Sequence, residues 1–403
     1  MTLCLTIPFF SVALWIFILA TMVQLFFWGY FFARLAFFNY SRSSSSPKRE
    51  ATPLTSRPAP APADQWKTGN GGPPPGEPPV SVIICARNEA ENLRRNLPHF
   101  LNQNYRSFEI LVVNDNSSDK TREVLLEFQR KNPKLRVLNL ETETLPGKKT
   151  ALTTGIEAST FDIILLSDAD CMPTSEHWLQ LMQSAIRQNI EIGIGYSPYR
   201  NRPGWLNRFI RFEALYTATQ YLSFALAGVP YMGVGRNLAY RKSVFRRSGG
   251  FRQHLHLASG DDDLFVNQVA HRHNTNVILE PGAFVISKPK TTWRGYYYQK
   301  HRHLTTGRRF RPFHKILLGA LSASHAGHYL GGLALLLSGG PVSFVYLIYL
   351  VRMGVVVWLY RRIMRRLDDL SLWPWVPILD AAFVGYYFAF APVLITGKVK
   401  QWK

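Results

Sequence analysis

Apolar and polar positions divide this chain into three territories. From about Pro8 to Phe32 the residues are almost all apolar or aromatic, and no charge appears before Arg34. A run of that length crosses a bilayer, and it lacks the basic start and short apolar core of a cleaved signal. Residues 1–38 are therefore expected to form a retained transmembrane helix. Arg34, Arg42, Lys48 and Arg49 place the following segment on the cytoplasmic side. Residues 39–79 are rich in Ser, Pro, Ala and Gly and cannot bury enough apolar surface to offset their ordering entropy, so they read as a disordered linker.

The second territory, 80–290, alternates short aliphatic runs with helical periodicity. Val80–Ala86 predicts a strand that ends in Arg87, Asn88 and Glu89, after which Leu93, Leu97, Phe100 and Leu101 recur at helical spacing. Phe108–Val113 predicts a second strand, Val124, Leu125 and Phe128 a helix, Leu135–Leu140 a third strand, and Asp162–Leu166 a fourth. Aliphatic runs without polar alternation are strands buried on both faces. The expected fold class is α/β, a Rossmann-like, mostly parallel sheet with helices on both faces. Further on, Trp178, Leu181, Met182 and Ala185 predict a helix with Ser175 as its N-cap, and Arg208–Leu226 a longer, aromatic one.

The third territory begins with a stretch, Lys288–Arg311, that contains no acidic residue and interleaves Lys and Arg with Trp293, Tyr296, Tyr297, Tyr298 and Phe310. Such a mixture suits either a helix in an anionic headgroup layer or a surface that stacks on nucleic-acid bases. The apolar segments that follow, Ile316–Leu337, Val342–Tyr360 and about Trp375–Ile395, favour the membrane, so 291–312 is expected to be an interface helix and 313–403 a set of transmembrane helices. Arg361, Arg362, Arg365 and Arg366 again mark a cytoplasmic side, and four crossings with the middle territory inside fit these charges. The basic tail from Lys398 to Lys403 does not fit that topology. Ser322, Ser324, His325 and His328 are polar for lipid and imply a re-entrant segment or one packed against other helices.

Composition adds one requirement and removes two options. Lys and Arg number 47 against 26 Asp and Glu, a formal charge of +21, which calls for a polyanionic partner such as a membrane surface, nucleic acid or phosphorylated substrate. Cys4, Cys85 and Cys171 are scattered with no C-x-x-C spacing, so neither a disulfide framework nor a structural zinc site is indicated.

The candidate chemistry lies at the ends of these elements. The fourth strand stops at Asp168-Ala169-Asp170, two carboxylates presented where open α/β sheets bind ligands and able to share a hard divalent cation with a diphosphate. Asp261-Asp262-Asp263 precedes an apolar helix, where the helix dipole accounts for one or two aspartates and less well for three. His301 and His303 do not have a metal-ligand spacing.

Together these motifs resemble the membrane-bound family-2 glycosyltransferases with a GT-A fold, in the cellulose-synthase-like and lipid-glycosylating branches. The resemblance runs from about Pro79 to Arg311 and includes the flanking membrane helices. Asn114-Asp115-Asn116-Ser117 resembles V-D-D-x-S, with asparagine at the first aspartate, which leaves uracil recognition to Asp115. Gly147-Lys148-Lys149-Thr150-Ala151-Leu152 matches the G-K-x-x-A-L element near the donor, and Asp168-Ala169-Asp170 the metal-binding D-x-D. Gly260-Asp261-Asp262 matches the acidic motif whose second residue is the base, and Gln299 to His303 resembles Q-x-x-R-W with histidine in place of tryptophan.

The resemblance implies an inverting, metal-dependent hexosyltransferase of the cell envelope. It would move sugar from a UDP-sugar to a lipid or lipid-linked saccharide at the cytoplasmic face, in a bacterial cytoplasmic membrane, without a nucleic-acid partner. Asp262 is then the catalytic base. Arg87, Glu89, Asp115, Lys148, Asp168, Gln299 and Arg302 contact the donor, and Asn237, Asp261 and His303 lie on the acceptor side. Asp170, with Asp168, ligates Mg²⁺ or Mn²⁺. A processive polysaccharide synthase is the alternative, which the histidine at 303 weakens. A nucleotidyltransferase would release pyrophosphate, and a basic membrane scaffold would not need carboxylates at strand ends.

Overall fold

The computed structural model describes residues 3–39, 77–140, 148–187, 189–257 and 259–396. Most of the expected linker, Gly147 and the basic tail lie outside them. Strands β1 (Val80–Ala86), β2 (Phe108–Asp115), β3 (Leu135–Leu140) and β4 (Ile163–Asp168) stand parallel, in the spatial order β3-β2-β1-β4. Beyond a short β5 (Cys171–Pro173), the sheet is extended by β6 (Ile192–Ile194), β7 (Leu238–Arg241) and β8 (Thr275–Val277) in the order β7-β6-β8. β7 runs antiparallel to β4 and β6, while β6 and β8 are parallel. β5 leaves the sheet and pairs antiparallel with β9 (Val285–Ser287).

Period-two alternation assigns each strand residue to one of two cores. Val82, Ile84, Ile110, Val112 and Leu165 face one side, where they meet Leu93, Leu97 and Phe100 of a helix over Ala90–Leu101, Val124 and Leu125 of one over Thr121–Lys131, and Trp178 and Met182 of one over Trp178–Gln183. Ile83, Ile164 and Leu166 face the other side, against Leu152 and Ile156 of a helix over Lys148–Ala158, Phe212 and Leu215 of one over Trp205–Leu226, and Phe265 of one over Asp263–Val269. The helix after Thr174 does not use Ser175 as its N-cap. The cap position is His177, and the Ser175 hydroxyl holds the His177 N–H at 3.1 Å while donating to the Gly282 carbonyl at 2.8 Å.

The helices are numbered in chain order: α1 (Leu3–Phe26), α2 (Ala33–Ala36), α3 (Ala90–Leu101), α4 (Thr121–Lys131), α5 (Lys148–Ala158), α6 (Trp178–Gln183), α7 (Trp205–Leu226), α8 (Lys242–Arg247), α9 (Asp263–Val269), α10 (Trp293–Leu304), α11 (Pro312–Leu337), α12 (Val342–Arg366) and α13 (Val376–Thr396). A π-helical turn, Phe27–Phe32, joins α1 to α2 and seats Phe31 on Phe224 of α7 with ring centroids 4.7 Å apart. The second core therefore continues without interruption from the sheet through α7 to Trp28, Tyr360 and Phe383 of the apolar helices. Each such aromatic, fully withdrawn from water, contributes about 1.5–3 kcal/mol to holding the sheet on the apolar helices.

Among the described residues, three helical stretches are long and apolar enough to cross a membrane: Phe10–Ala36, Val342–Arg366 and Leu370–Val393. Four were expected, and α11 is the one that falls short on apolarity. Its polar residues face protein. It lies antiparallel along α1, with Gln24 donating to the Leu321 carbonyl at 3.0 Å and to Ser324 Oγ at 2.9 Å. Gly331 and Gly332 pack against Phe17, and His328 hydrogen-bonds Thr21 at 2.7 Å. Packing against neighbouring helices, the second of the two alternatives for this segment, accounts for its composition.

Candidate active site

Parallel pairing brings the carboxyl ends of β1, β2 and β4 to one edge, with Cys85 opposite Asp168 and Ala86 opposite Asn114. The sharp turns that follow place Asn88 and Asn116 in the left-handed region, at φ 57° and 49°, which asparagine tolerates better than most residues. The Asn88 side-chain Oδ1 then accepts the Ser118 N–H at 2.8 Å, which ties the two strand ends together. A cavity of about 1020 Å³ opens at this edge. Arg87, Glu89, Asp115, Lys148, Asp168, Asp170, Asp261, Asp262, Gln299, Arg302 and His303 all line it. They come from six separate parts of the chain.

Lys148, the first residue of α5, joins the two acidic motifs. Its ammonium lies 2.5 Å from Asp168 Oδ1 and 3.3 Å from Asp261 Oδ2. Burial works against the Lys148 charge, but the two carboxylates outweigh it and hold the lysine well above its usual range. Asp261 responds in kind: burial raises its pKa, but Lys148, its own backbone N–H and Lys149 together bring it below the ordinary carboxylate value. Lys149 points away from the cavity and donates to the carbonyls of His254, Leu257 and Ser259 at 2.5, 3.0 and 2.7 Å. It fastens the loop that carries the aspartates and is a positioning residue not anticipated from the sequence.

Asp262 caps α9, with Oδ1 accepting the Asp263 N–H at 2.7 Å and Oδ2 accepting the Gly235 N–H at 2.8 Å. A Cβ at 235 would sit 3.3 Å from this carboxylate, so glycine permits the approach. Gly260, at φ +100°, supplies the left-handed turn that aims the three aspartates in different directions. Burial and then the neighbouring Asp261 raise the Asp262 pKa, partly offset by the Gly235 N–H. A carboxylate fixed by two backbone donors and made more basic than usual is suited to accept a proton. Asp263 does different work: Oδ1 accepts the Leu264 N–H at 2.7 Å and Oδ2 meets the Thr306 hydroxyl just beyond α10. Its carboxyl is pushed up to about 8, by burial and then by Asp262.

Asp168 and Asp170 offer carboxylate oxygens, and the Cys171 thiol completes a group whose ligand atoms lie within 4.8 Å of one another. Asp170 has no cation within ion-pair distance among the described residues, and burial followed by repulsion from Asp168 raises its pKa. The Cys171 thiol, raised far above its normal range chiefly by burial, stays protonated and leans 3.3 Å from Asp170 Oδ1 as a donor. Two hard oxygen donors that repel each other beside a neutral thiol fit Mg²⁺ or Mn²⁺ better than a soft metal.

At the ends of β1 and β2, Arg87 reaches Asp115 at 4.0 Å, and burial raises the Asp115 pKa against the pull of that arginine. Asn114 turns the other way and donates to Asn139 of β3 at 2.9 Å. Glu89 is held by the Asn92 amide. Across the cavity, Gln299 approaches the Tyr199 hydroxyl at 3.4 Å and Arg302 approaches His303 at 3.5 Å. The His303 imidazole is held neutral, by burial first and then by Lys300 and Arg302.

Asn237 does not belong to the site. It is fully buried, accepts from Trp178 Nε1 at 2.9 Å and donates to the Tyr196 and Ala283 carbonyls at 2.8 Å each, so all its polar capacity is used inside the protein. Its predecessor Arg236 lines the cavity instead, 4.7 Å from the Tyr199 ring centroid, with Asp168 and Asp170 close enough to favour its charge. The turn before β7, closed by the Asn237 N–H on the Val234 carbonyl at 2.9 Å, gives these neighbours different surroundings. Requiring a cation near two aspartates would have selected the arginine.

The cavity does not end at the sheet. It continues past Tyr216, Tyr221 and Gln220 of α7 and the buried Lys300–Glu213 pair, whose charged atoms are 2.5 Å apart, to Lys315, Leu318 and Ser322 of α11 and Phe383, Tyr386, Tyr387 and Phe390 of α13.

Residues 81–249 match the family described as glycosyl transferase family 2. A probable glycosyltransferase, YdaM of Bacillus subtilis, is 29% identical over 238 residues, covering 56% of this chain and 54% of that protein. The poly-beta-1,6-N-acetyl-D-glucosamine synthase of Staphylococcus epidermidis is 25% identical over 242 residues, covering 59% of this chain and 55% of that protein. The chain spans about half the length of these curated relatives. Among solved structures, the mannosyltransferase PcManGT of Pyrobaculum calidifontis, in complex with GDP-Man and Mn²⁺, aligns over 94% of this chain and 99% of its own. The TM-score is 0.56 at 17% identity, a likeness of fold.

Proposed function

We propose, for a chain whose residues 81–249 belong to glycosyl transferase family 2, an inverting transfer of a sugar from a UDP-sugar to a lipid or lipid-linked saccharide. The observation that carries this reading is the continuity of one cavity from Asp168, Asp170 and Asp262 to α11 and α13. A donor bound at the strand ends and an acceptor arriving between apolar helices would meet at Asp262. The UDP preference rests on the resemblance at Asp115. The charge pattern after α1 and at the end of α12 supports a catalytic domain on the cytoplasmic side.

In this reading Asp262 takes the proton from the acceptor hydroxyl as that oxygen bonds to the anomeric carbon, and the bond from that carbon to the β-phosphate oxygen breaks. A divalent cation held by Asp168 and Asp170 would supply charge stabilisation to the diphosphate. Lys148, Arg236 and Arg302 add fixed positive charge on the same side, and a guanidinium fork suits phosphate oxygens. Asp115 and Arg87 hold the base and ribose end of the donor.

A processive polysaccharide synthase remains the second reading, because a cavity leading between membrane helices would also suit a growing chain. Incubating the full-length protein with a panel of UDP- and GDP-sugars and membrane lipid extracts tests both. Mass spectrometry should find one or a few sugars added to a lipid, with the nucleoside diphosphate released. Long saccharides would favour the synthase, and release of pyrophosphate would overturn the assignment of glycosyl transfer.

A further inference from the structure

A second pocket, of about 330 Å³, opens away from the catalytic cavity, between the start of α7 and the turn joining α12 to α13. Arg202, Arg208 and Arg211 line it with Asn201, Ser371 and Trp375, and no acidic residue does. Arg211 is the built floor. It is only 5% exposed, and its terminal nitrogens reach Asn201 Oδ1 and Ser371 Oγ at 2.6 Å each and pair with Asp369. Its Nε has no hydrogen-bond partner among the described residues. Asp369 thus balances Arg211, whereas Arg202 and Arg208 have no carboxylate within ion-pair distance among the described residues. The guanidinium of Arg208 lies over the Trp375 ring at 4.5 Å, and Trp375 packs edge-on against Trp205, 5.0 Å away and 48% exposed.

The location supplies the second half of the case. The apolar spans Val342–Arg366 and Leu370–Val393 meet at this turn, so the pocket sits at the level where both leave the hydrocarbon. Tryptophans at that level mark the headgroup layer, and basic pockets at helix ends on the side of anionic lipid recognise phosphate-bearing headgroups. A free phosphate would be held by the arginines but would gain nothing from Trp205 and Trp375, whose exposed faces suit the glycerol and acyl region. We propose that this pocket is a specific site for the headgroup of an anionic phospholipid, separate from the catalytic cavity, and that it fixes the α12–α13 turn to the membrane surface.

The test uses the full-length protein in mild detergent, titrated with short-chain phosphatidylglycerol, short-chain phosphatidylcholine or inorganic phosphate, with occupancy read by native mass spectrometry. Replacing Arg202→Gln and Arg208→Gln together should weaken the tightest phosphatidylglycerol binding about thirtyfold, the effect of two basic side chains at an anionic headgroup. Arg94→Gln with Arg130→Gln, an equal charge loss on α3 and α4, should leave it unchanged. Phosphatidylcholine should show no difference among the three proteins. Equal weakening by both double substitutions would overturn the site in favour of general charge attraction. Inorganic phosphate that displaces phosphatidylglycerol at similar concentration would overturn the lipid assignment, because the tryptophan faces would then contribute nothing. Both double substitutions leave Arg211 and its buried partners intact, and a circular dichroism spectrum matching wild type establishes that the fold survives.

Discussion

The large cavity at the strand ends holds two acidic clusters built from the same residue type, and their surroundings separate them. At 261–263 every carboxylate has partners supplied by the protein: Lys148 for Asp261, the Gly235 and Asp263 N–H groups for Asp262, and the Leu264 N–H with Thr306 for Asp263. At 168–170 Asp168 has an ion-pair partner in Lys148, whereas among the described residues Asp170 has no cation within ion-pair distance and only the weak Cys171 thiol as a donor, beside the like charge of Asp168. A carboxylate fixed by backbone donors is oriented and can exchange a proton in a set direction. A buried one left beside another carboxylate gains most from a cation. Role follows from which donors surround an aspartate, and the residue itself says little.

Substitutions at each cluster test this contrast. The largest effect is expected from Asp262→Asn, whose single amide oxygen can keep only one of the two backbone hydrogen bonds and whose side chain cannot accept the proton. Transfer should fall about 10³-fold with nucleotide affinity nearly unchanged, as read by steady-state kinetics and calorimetry. Full turnover in this variant would move the base elsewhere. Next is Asp170→Ala, expected to lower turnover about 10²-fold and to abolish the response to added Mg²⁺ or Mn²⁺. Wild type that keeps its activity in excess EDTA would remove the distinction between the clusters. Arg236→Ala, which takes away the guanidinium near Asp168 and Asp170, should raise the donor KM about tenfold with a smaller change in kcat. A loss confined to acceptor KM would place Arg236 on the other side of the reaction.

A final test reads stability instead of turnover. Asp263 is raised in the folded protein to about 8, from an ordinary carboxyl value of about 3.9. The folded state therefore binds a proton that the unfolded chain releases. This contribution is fully present below the ordinary value and is lost as pH rises to about 8. Thermal stability should decline over that window in wild type and decline less in Asp263→Asn, whose amide can donate to Thr306 at every pH. Parallel melting curves across pH 5 to 8 check this, and identical slopes would mean that Asp263 has ordinary acidity.

How much was legible in advance differs between fold and site. The four parallel strands were readable from Val80–Ala86, Phe108–Val113, Leu135–Leu140 and Ile163–Leu166, because strands buried on both faces must be apolar at consecutive positions. The short strands β6, β8 and β9, three residues each, carry too little pattern to be read that way. Of the neighbours Arg236 and Asn237 it is the arginine that lines the cavity, since the facing of a turn residue is set by the turn's hydrogen bonds and the packing around it. The composition of α11 looked ambiguous because its polar residues answer to partners in α1, some 300 positions away.

By itself the sequence determined the local facts: which runs are apolar, where they stop, which carry charge, and which short motifs resemble a known family. These depend on side-chain chemistry within a few residues and survive without knowledge of contacts. Only the tertiary structure decided that Lys148 sits between Asp168 and Asp261, that Lys149 clamps the loop before them, and that the cavity reaches α13. Distances of a few ångströms between residues from twenty to more than a hundred positions apart are set by sheet order and helix packing, and local pattern along the chain does not contain them.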